Sequence, residues 1–241
     1  MEDCNKVYSP IVHGYKLVKD EKGRATYATL YKRMIGFLMY LLATRPDMTL
    51  SVCLDVRYME RPTELHVVVV KRIMRYLKRT LKFGILYKKE ITGSLIMQGW
   101  TDYDYAGDHD DRKNTSGYVF TIGLSAVCWS LKKRPIVTLS TTEAEFVSVV
   151  SSACQCIWMR AVLDHLYLKQ SGCTIINCDN SSSIKLSRNS IMHGRCKHIS
   201  VRYHFLRGLC NDEIIELKFC RSYEQLTDIM TKTLKVDTFI K

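Results

Sequence analysis

The 241-residue sequence predicts an α/β protein in which a mainly helical region precedes a domain built on a mixed β-sheet. Up to Leu81, apolar residues recur every three or four positions, which is typical of amphipathic helices. After Lys89, short segments of alternating character are typical of strands. These segments are predicted in the order of three strands, a helix, a strand, helices, a strand and a helix, which suits a mixed sheet flanked by helices.

Three helices are predicted in the first region, residues 1–92. The first covers about 27–43 and ends before Arg45-Pro46-Asp47, and the second covers about 48–60. The third covers about 63–81. Its apolar face contains Val69, Val70, Ile73, Met74 and Leu77. A second face with the same spacing carries Lys71, Arg75, Lys78 and Lys82.

The basic face of the third helix has two interpretations, a solvated surface or a contact with a phosphate backbone. Segment 71–89 contains eight basic residues and no acidic one, so the alternating ion-pair partners of a purely solvated helix are missing from it. The formal net charge of the chain is +12. Together these features indicate that the protein binds a polyanion.

The second region, residues 93–241, is predicted to contain the sheet. Its strands are predicted at 94–102, 116–123, 125–133, 174–178 and 214–220. Its helices are predicted at about 141–168, 180–188 and 197–210, and a final helix is predicted from about 224. The large aromatic residues Trp129, Trp158 and Phe205 are predicted to lie in the core.

Several carboxylates fall on strands or near helix starts in this layout. They are Asp102, Glu143, Glu145, Asp179 and Asp228. Carboxylates that converge from separate elements repel one another unless a cation neutralises them. Two divalent ions would do so, and oxygen-only ligands favour Mg²⁺ or Mn²⁺. The spacing alone leaves a second interpretation open, because acids near helix starts also complement the helix dipole.

Five ordered segments narrow these interpretations. They are GWTDYDYAGDHDDRKNTSGYVF, LSTTEAEFVSV, NCDNSSSI, KHISVRYHFLR and EQLTDIMTK. In this order and spacing they resemble the ribonuclease H domain of copia-type LTR-retrotransposon Pol polyproteins. The upstream segments YKRMIGFLMYLLATRPDMTLSVCLDVRYM and RIMRYLKRTLKFGILY resemble the region between the polymerase palm and that domain. The resemblance implies a thumb- or connection-like region at 1–92 and a ribonuclease H-like fold at 93–241.

The resemblance also implies an activity, which is metal-dependent endonucleolytic hydrolysis of the RNA strand of an RNA–DNA hybrid. The family's catalytic quartet corresponds to Asp102, Glu145, Asp179 and Asp228, which would hold two Mg²⁺ or Mn²⁺ ions. Glu145 is preferred to Glu143 because Ser140 and Glu143 have the spacing of a capping box. Asp104 is the reserve candidate on the first strand, because side chains two residues apart share a face. The remaining aspartates of that run, Asp108, Asp110 and Asp111, are predicted to form a solvated turn with Arg112 and Lys113.

Further residues are candidates for contact with nucleic acid, and each has a structural alternative. They are Ser116, Asn180, Lys197, His198 and Arg202. Ser116 alternatively ends a turn, and Asn180 alternatively caps a helix. His198 and Arg202 alternatively contribute to packing.

Other features restrict the function further. The palm motif Tyr-x-Asp-Asp is missing, so DNA polymerisation is not expected of this chain. The ten cysteines lack a CxxC pair, which predicts reduced thiols, no zinc site and an intracellular protein. The resemblance implies that this location is cytoplasmic, in a virus-like particle, or nuclear. No membrane partner is expected, whereas the remainder of a Pol polyprotein is a candidate partner. The alternative to the enzyme is a catalytically silent nucleic-acid-binding remnant of a retrotransposon.

Overall fold

The computed structural model describes residues 4–88, 95–104, 110–111, 113–134, 140–188 and 200–240. These residues form two compact units. The first unit contains the described residues of 1–85, 108–112 and 229–241, and the second unit contains those of 86–107 and 113–228. The boundary predicted between residues 92 and 93 lies outside the described residues.

The first unit is built from three helices. They are α1 (Ala28–Leu41), α2 (Thr49–Val56) and α3 (Glu64–Arg79), and a 3₁₀ turn at Pro46–Met48 separates α1 from α2. Helix α3 begins at Glu64 because the N–H of Thr63 donates to Nδ1 of His66 at 2.9 Å, which satisfies a backbone donor at the helix start. The α3 face predicted to be apolar packs inward, with Val69, Val70 and Ile73 buried.

A buried carboxyl group, that of Asp55 on α2, faces the tyrosine ring of α1. The hydroxyl of Tyr31 lies 2.9 Å from the Asp55 carbonyl oxygen and 3.2 Å from its Oδ1. Within the described residues, Oδ2 of Asp55 has no hydrogen-bond partner. Burial raises the pKa of Asp55 to about 8 from an ordinary value of 3.8, while the bond from Tyr31 opposes that rise. Asp55 is therefore a neutral carboxylic acid in the folded protein at neutral pH.

Stability of the first unit is therefore expected to fall as the pH rises. The folded pKa exceeds the unfolded one, so between about pH 4 and pH 8 the folded chain holds a proton that the unfolded chain has released. The free energy of unfolding then decreases by about 1.4 kcal/mol per pH unit and levels off above pH 8. Urea unfolding of the wild type and of Asp55→Asn at several pH values checks this. The variant should lack this slope, and parallel curves for the two proteins would contradict the expectation.

The second unit contains the sheet and the helices that cover it. In chain order its elements are β1 (Met97–Asp104), β2 (Thr115–Ile122), β3 (Ser125–Lys133), α4 (Thr141–His165), β4 (Thr174–Cys178), α5 (Ser181–Arg188), α6 (Ser200–Asn211) and β5 (Ile215–Phe219). Two short helices follow, α7 (Asp228–Thr231), of which only Asp228 belongs to the second unit, and α8 (Val236–Phe239) in the first unit.

The five strands form one sheet in the order β3-β2-β1-β4-β5. The pairs β1–β2 and β2–β3 are antiparallel, whereas β4 is parallel to both β1 and β5. This confirms the predicted mixed five-stranded sheet flanked by helices. The strand order also places β1 at the centre, so that its carboxyl end adjoins that of β4.

Helix α4 provides most of the core that lies on this sheet. Phe146, Val149 and Ala153 are fully buried on one side of the helix, and the Phe146 ring lies 4.3 Å from that of Tyr203 on α6. By length and composition α4 would also pass for a membrane span, but half of that span is buried inside the protein. The core prediction is wrong for Trp158, which is 59% exposed, and for Phe205, which is 37% exposed.

The prediction of a continuous final helix from about 224 is also wrong. Instead a 3₁₀ turn at Ser222–Glu224 is followed by the extended Gln225 and then by the short helices α7 and α8. The Gln225 side chain donates to the backbone oxygen of Thr101 at 3.0 Å, and the Thr227 hydroxyl donates to Gln225 at 2.6 Å. These buried contacts with β1 hold the segment out of helical geometry.

Candidate metal centre and nucleic-acid interface

Two of the predicted quartet lie at the carboxyl ends of neighbouring parallel strands. Thr101 of β1 is paired with Cys178 of β4, and Asp102 and Asp179 are the residues that directly follow them. Adjacent parallel strands are about 4.8 Å apart, so the register places the two aspartates side by side at the carboxyl end of the paired segment. Asp102 is 1% exposed, and its backbone is paired with Gly117 of β2.

The third quartet member, Glu145, approaches Asp179 from α4. Ligand atoms of Glu145, Cys178 and Asp179 all lie within 4.8 Å of one another. The oxygen atoms Oε2 of Glu145 and Oδ1 of Asp179 are buried. Within the described residues, this group does not include Asp102, Asp104 or Asp228.

The start of α4 explains why Glu145, rather than Glu143, belongs to this group. The N–H of Glu143 donates to the Ser140 hydroxyl at 3.2 Å, which is one half of the predicted capping box and begins the helix after Ser140. One turn beyond Glu145, the Ser148 hydroxyl donates to the backbone oxygen of Asp102 at 3.0 Å and lies 2.8 Å from Thr101 Oγ1. These bonds fix α4 against β1 at the level of the aspartates.

The fourth quartet member, Asp228, is the first residue of α7. The buried bond from Gln225 to Thr101 ties the segment before Asp228 to the same strand that carries Asp102. Burial, and after it the negative charges of Asp179, Glu224 and Asp228, raise the pKa of the nearby Cys220 thiol to about 11. Asp179 and Asp228 therefore both act electrostatically on one thiol at this end of the sheet.

Cys178 is part of the carboxylate group although the sequence did not single it out. Its thiol is fully buried, and burial, together with the charges of Glu145 and Asp179, raises its pKa. The thiol is consequently protonated and neutral in the metal-free protein at neutral pH. The other donors of the group are carboxylate oxygens, which are the ligands that Mg²⁺ and Mn²⁺ prefer. Only its position directly before Asp179 could have indicated Cys178.

The structure resolves some of the alternatives for the predicted nucleic-acid contacts. Oδ1 of Asn180 accepts the N–H of Ser183 at 3.0 Å, so Asn180 caps α5. Lys71 on α3 and Lys82 after it are exposed, whereas Arg75 and Lys78 on α3 are half-buried. Lys197 and His198 lie outside the described residues.

The predicted residues Ser116 and Arg202 lie in a basic cluster whose third member, Arg134, the sequence analysis missed. The buried Ser116 hydroxyl accepts from Nε of Arg134 at 2.5 Å. Burial, and then the positive charge of Arg202 on α6, lower the pKa of the Arg134 guanidinium. Within the described part of the chain, neither arginine takes part in an ion pair. The run Lys132-Lys133-Arg134 at the end of β3 was the available signal.

The predicted solvated turn has one additional role. Asp110 and Asp111 lie in an exposed turn, as predicted. In the first unit, however, the Asp110 carboxylate also accepts the Tyr58 hydroxyl at 2.9 Å and the N–H of Lys19 at 3.2 Å. Asp108 and Arg112 lie outside the described residues.

Comparison with known proteins identifies the family. No family model matches the chain. The chain is 36% identical, over 99% of its length, to the retrovirus-related Pol polyprotein from transposon TNT 1-94 of Nicotiana tabacum. Identity and coverage are the same for the Pol polyprotein from transposon RE1 of Arabidopsis thaliana. The chain is homologous to part of the plant copia-type retrotransposon Pol polyproteins.

The chain spans only part of these relatives, 18% of the tobacco polyprotein and 16% of the Arabidopsis one. Among solved structures, it is similar to LC11-RNase H1 in complex with an RNA/DNA hybrid, with a TM-score of 0.43 and 8% identity. That match covers 60% of this chain and 99% of the other chain.

Proposed function

We propose that this chain cuts the RNA strand of RNA–DNA hybrids in a reaction that depends on divalent metal ions. The observation that carries the proposal is the approach of Glu145 to Asp179 at the carboxyl end of the sheet, where their ligand atoms lie within 4.8 Å of each other. The order and spacing of the family's motifs add Asp102 and Asp228 to the same centre. The alternative function is that of a catalytically silent, nucleic-acid-binding remnant of a retrotransposon.

The carboxylates Asp102, Glu145, Asp179 and Asp228 would hold two Mg²⁺ or Mn²⁺ ions. When bound, such ions lower the pKa of a water nucleophile and stabilise charge on the phosphate and on the departing oxygen. The chain's own contribution is positioning. Ser148 holds α4 against β1 so that Glu145 stays beside Asp179. Gln225 holds the segment before Asp228 against Thr101.

The electrostatics of the chain are consistent with a nucleic-acid substrate. The donors that Glu145 and Asp179 supply are carboxylate oxygens. The chain as a whole is strongly basic, with a formal net charge of +12, and this favours a polyanion over a neutral ligand. One candidate surface for its phosphates consists of Lys71, Arg75 and Lys78 on α3 and of Lys82 after it.

The purified chain with labelled substrates tests this function. An RNA–DNA hybrid and a DNA duplex of the same sequence are each incubated with Mg²⁺ or with EDTA. We expect cleavage of the RNA strand only, in the hybrid only, and only with Mg²⁺. Salt-dependent binding of the hybrid without metal-dependent cleavage would favour the catalytically silent remnant and would overturn the proposed enzymatic function.

The cluster of Ser116, Arg134 and Arg202 is expected to hold a backbone phosphate of the hybrid. A bound anion would relieve the repulsion between these two half-buried guanidinium groups. Each hydrogen bond to a charged group contributes about 1.5–3 kcal/mol to binding. Arg134→Ala or Arg202→Ala should therefore raise KM for the hybrid by about tenfold or more with kcat nearly unchanged. The slope of the logarithm of hybrid affinity against the logarithm of salt concentration should become shallower by about one, because one phosphate contact is lost.

The matched control for these variants is Lys169→Ala, which removes an exposed positive charge elsewhere in the second unit. Arg134→Lys keeps the charge and should recover part of the affinity. If the arginine variants lower kcat at unchanged KM, or if Lys169→Ala has the same effect, the cluster does not bind a phosphate.

A further inference from the structure

A cavity of about 480 Å³ lies in the first unit. Its lining comes from the segment that follows α1, from the carboxyl end of α3 and the segment after it, from Phe239 of α8 and from Tyr8. Its volume is within the range of small-molecule sites, which is about 300–1,000 Å³. Neither the sheet nor the predicted quartet contributes to it, so the cavity requires its own explanation.

The inner wall of the cavity is a buried ion pair. Arg45 is 6% exposed, and its guanidinium donates to the two carboxylate oxygens of Asp47 at 2.9 and 2.7 Å. The same guanidinium donates to the backbone oxygen and the hydroxyl of Thr80 at 3.0 and 2.7 Å. The Tyr76 hydroxyl donates to Asp47 at 2.6 Å. The charges of Arg45 and Asp47 therefore cancel, and the wall is fixed.

The rim of the cavity, in contrast, is cationic and aromatic. The Arg79 guanidinium carbon lies 3.7 Å from the centre of the Tyr8 ring, and Lys82 and Phe83 follow directly after α3. The Phe83 ring is 62% exposed although it lines the cavity. Among the described residues, neither Arg79 nor Lys82 takes part in an ion pair. The rim thus offers two positive charges beside exposed ring faces.

We propose that this cavity binds a single nucleotide, with the base against Phe83 and the phosphate on Arg79 and Lys82. A nucleoside monophosphate carries a flat base and a phosphate on one small molecule, which matches an exposed ring next to two cations. Stacking on Tyr8 leaves the N–H edge of Arg79 directed sideways, where it can donate to phosphate oxygens. This site goes beyond the proposed nuclease function, because it requires neither the carboxylates nor cleavage.

Calorimetric titration of the full chain with adenosine monophosphate tests the site. The titration is run in EDTA, so that loss of the nuclease activity has no effect on the result. We expect saturable binding of one nucleotide, tighter than that of adenosine or of inorganic phosphate alone. Lys82→Glu and Phe83→Ala should each weaken nucleotide binding by about tenfold or more. The first removes a cation that contacts the phosphate, and the second removes the ring against which the base stacks.

The control variant is Lys22→Glu, which makes the same charge change at an exposed lysine of the first unit that does not line the cavity. It should bind the nucleotide as the wild type does. Lys82 and Phe83 are exposed, so both variants should fold, and circular dichroism checks this. Lack of saturable binding, equal affinity for adenosine, or equal weakening by Lys22→Glu would each overturn the proposal.

Discussion

Replacement of Asp179 by asparagine is expected to lower the rate of hybrid cleavage by about a thousandfold, which is roughly 4 kcal/mol of transition-state stabilisation. Asparagine has nearly the shape of aspartate but removes the negative charge beside Glu145. A cation would then lose one of the two carboxylates that lie within 4.8 Å of each other. Single-turnover cleavage of a labelled hybrid in saturating Mg²⁺ measures the effect.

Asp212→Asn is the matched control for this variant. Asp212 is exposed in the turn after α6, and its replacement makes the same chemical change away from the carboxylate group. Its cleavage rate should equal that of the wild type. Hybrid binding in EDTA should be no weaker for Asp179→Asn than for the wild type, because the lost charge is negative. Full cleavage activity of Asp179→Asn would show that the quartet is misassigned.

Phe146→Ala is expected to destabilise the second unit by about 3–5 kcal/mol, the usual cost of removing a buried aromatic ring. The Phe146 ring is fully buried and joins α4 to Tyr203 of α6. It directly follows Glu145, so loss of packing here should also reduce cleavage activity. Urea unfolding followed by tryptophan fluorescence measures the change, because all three tryptophans lie in the second unit.

Trp158→Ala on the same helix provides the control. Trp158 is 59% exposed, and its loss should change the free energy of unfolding by no more than about 0.5 kcal/mol. Phe146→Leu should recover part of the stability by refilling the space. Equal losses from Phe146→Ala and Trp158→Ala would contradict the core that is described for α4.

The sheet could be predicted from the sequence because each strand carries its own local signal. The predicted 174–178 and 125–133 coincide with β4 and β3, where apolar and β-branched residues are bounded by turns. The apolar face of α3 also followed from its spacing alone. Local patterns of this kind need no knowledge of which elements meet in space.

The remaining features depend on contacts between distant residues. The final helix is interrupted because Gln225 bonds to Thr101, which lies 124 positions earlier. Trp158 is exposed although Cys156 and Met159 next to it on α4 are buried, so it lies on the side of the helix that faces away from the core, and residue type alone does not report that. Arg134 was missed because its neighbour Arg202 lies 68 positions away and only the fold brings them together.

The candidate site shows the same division. The family's motifs indicated Asp102, Glu145, Asp179 and Asp228, and the fold brings Glu145 and Asp179 together. The motifs did not indicate that the Cys178 thiol would lie within 4.8 Å of the Glu145 carboxylate. This contact is set by the packing of α4 on β4, which a single sequence does not specify.

The most direct test of the central claim is to locate the metal. Crystals of the chain grown with an RNA–DNA hybrid and Mn²⁺ would give the manganese positions by anomalous scattering. The account predicts manganese within ligand distance of the Glu145 and Asp179 carboxylates, with Asp102 and Asp228 completing the site and the RNA strand beside it. Manganese bound elsewhere, with these carboxylates free of metal while the hybrid is bound, would contradict it.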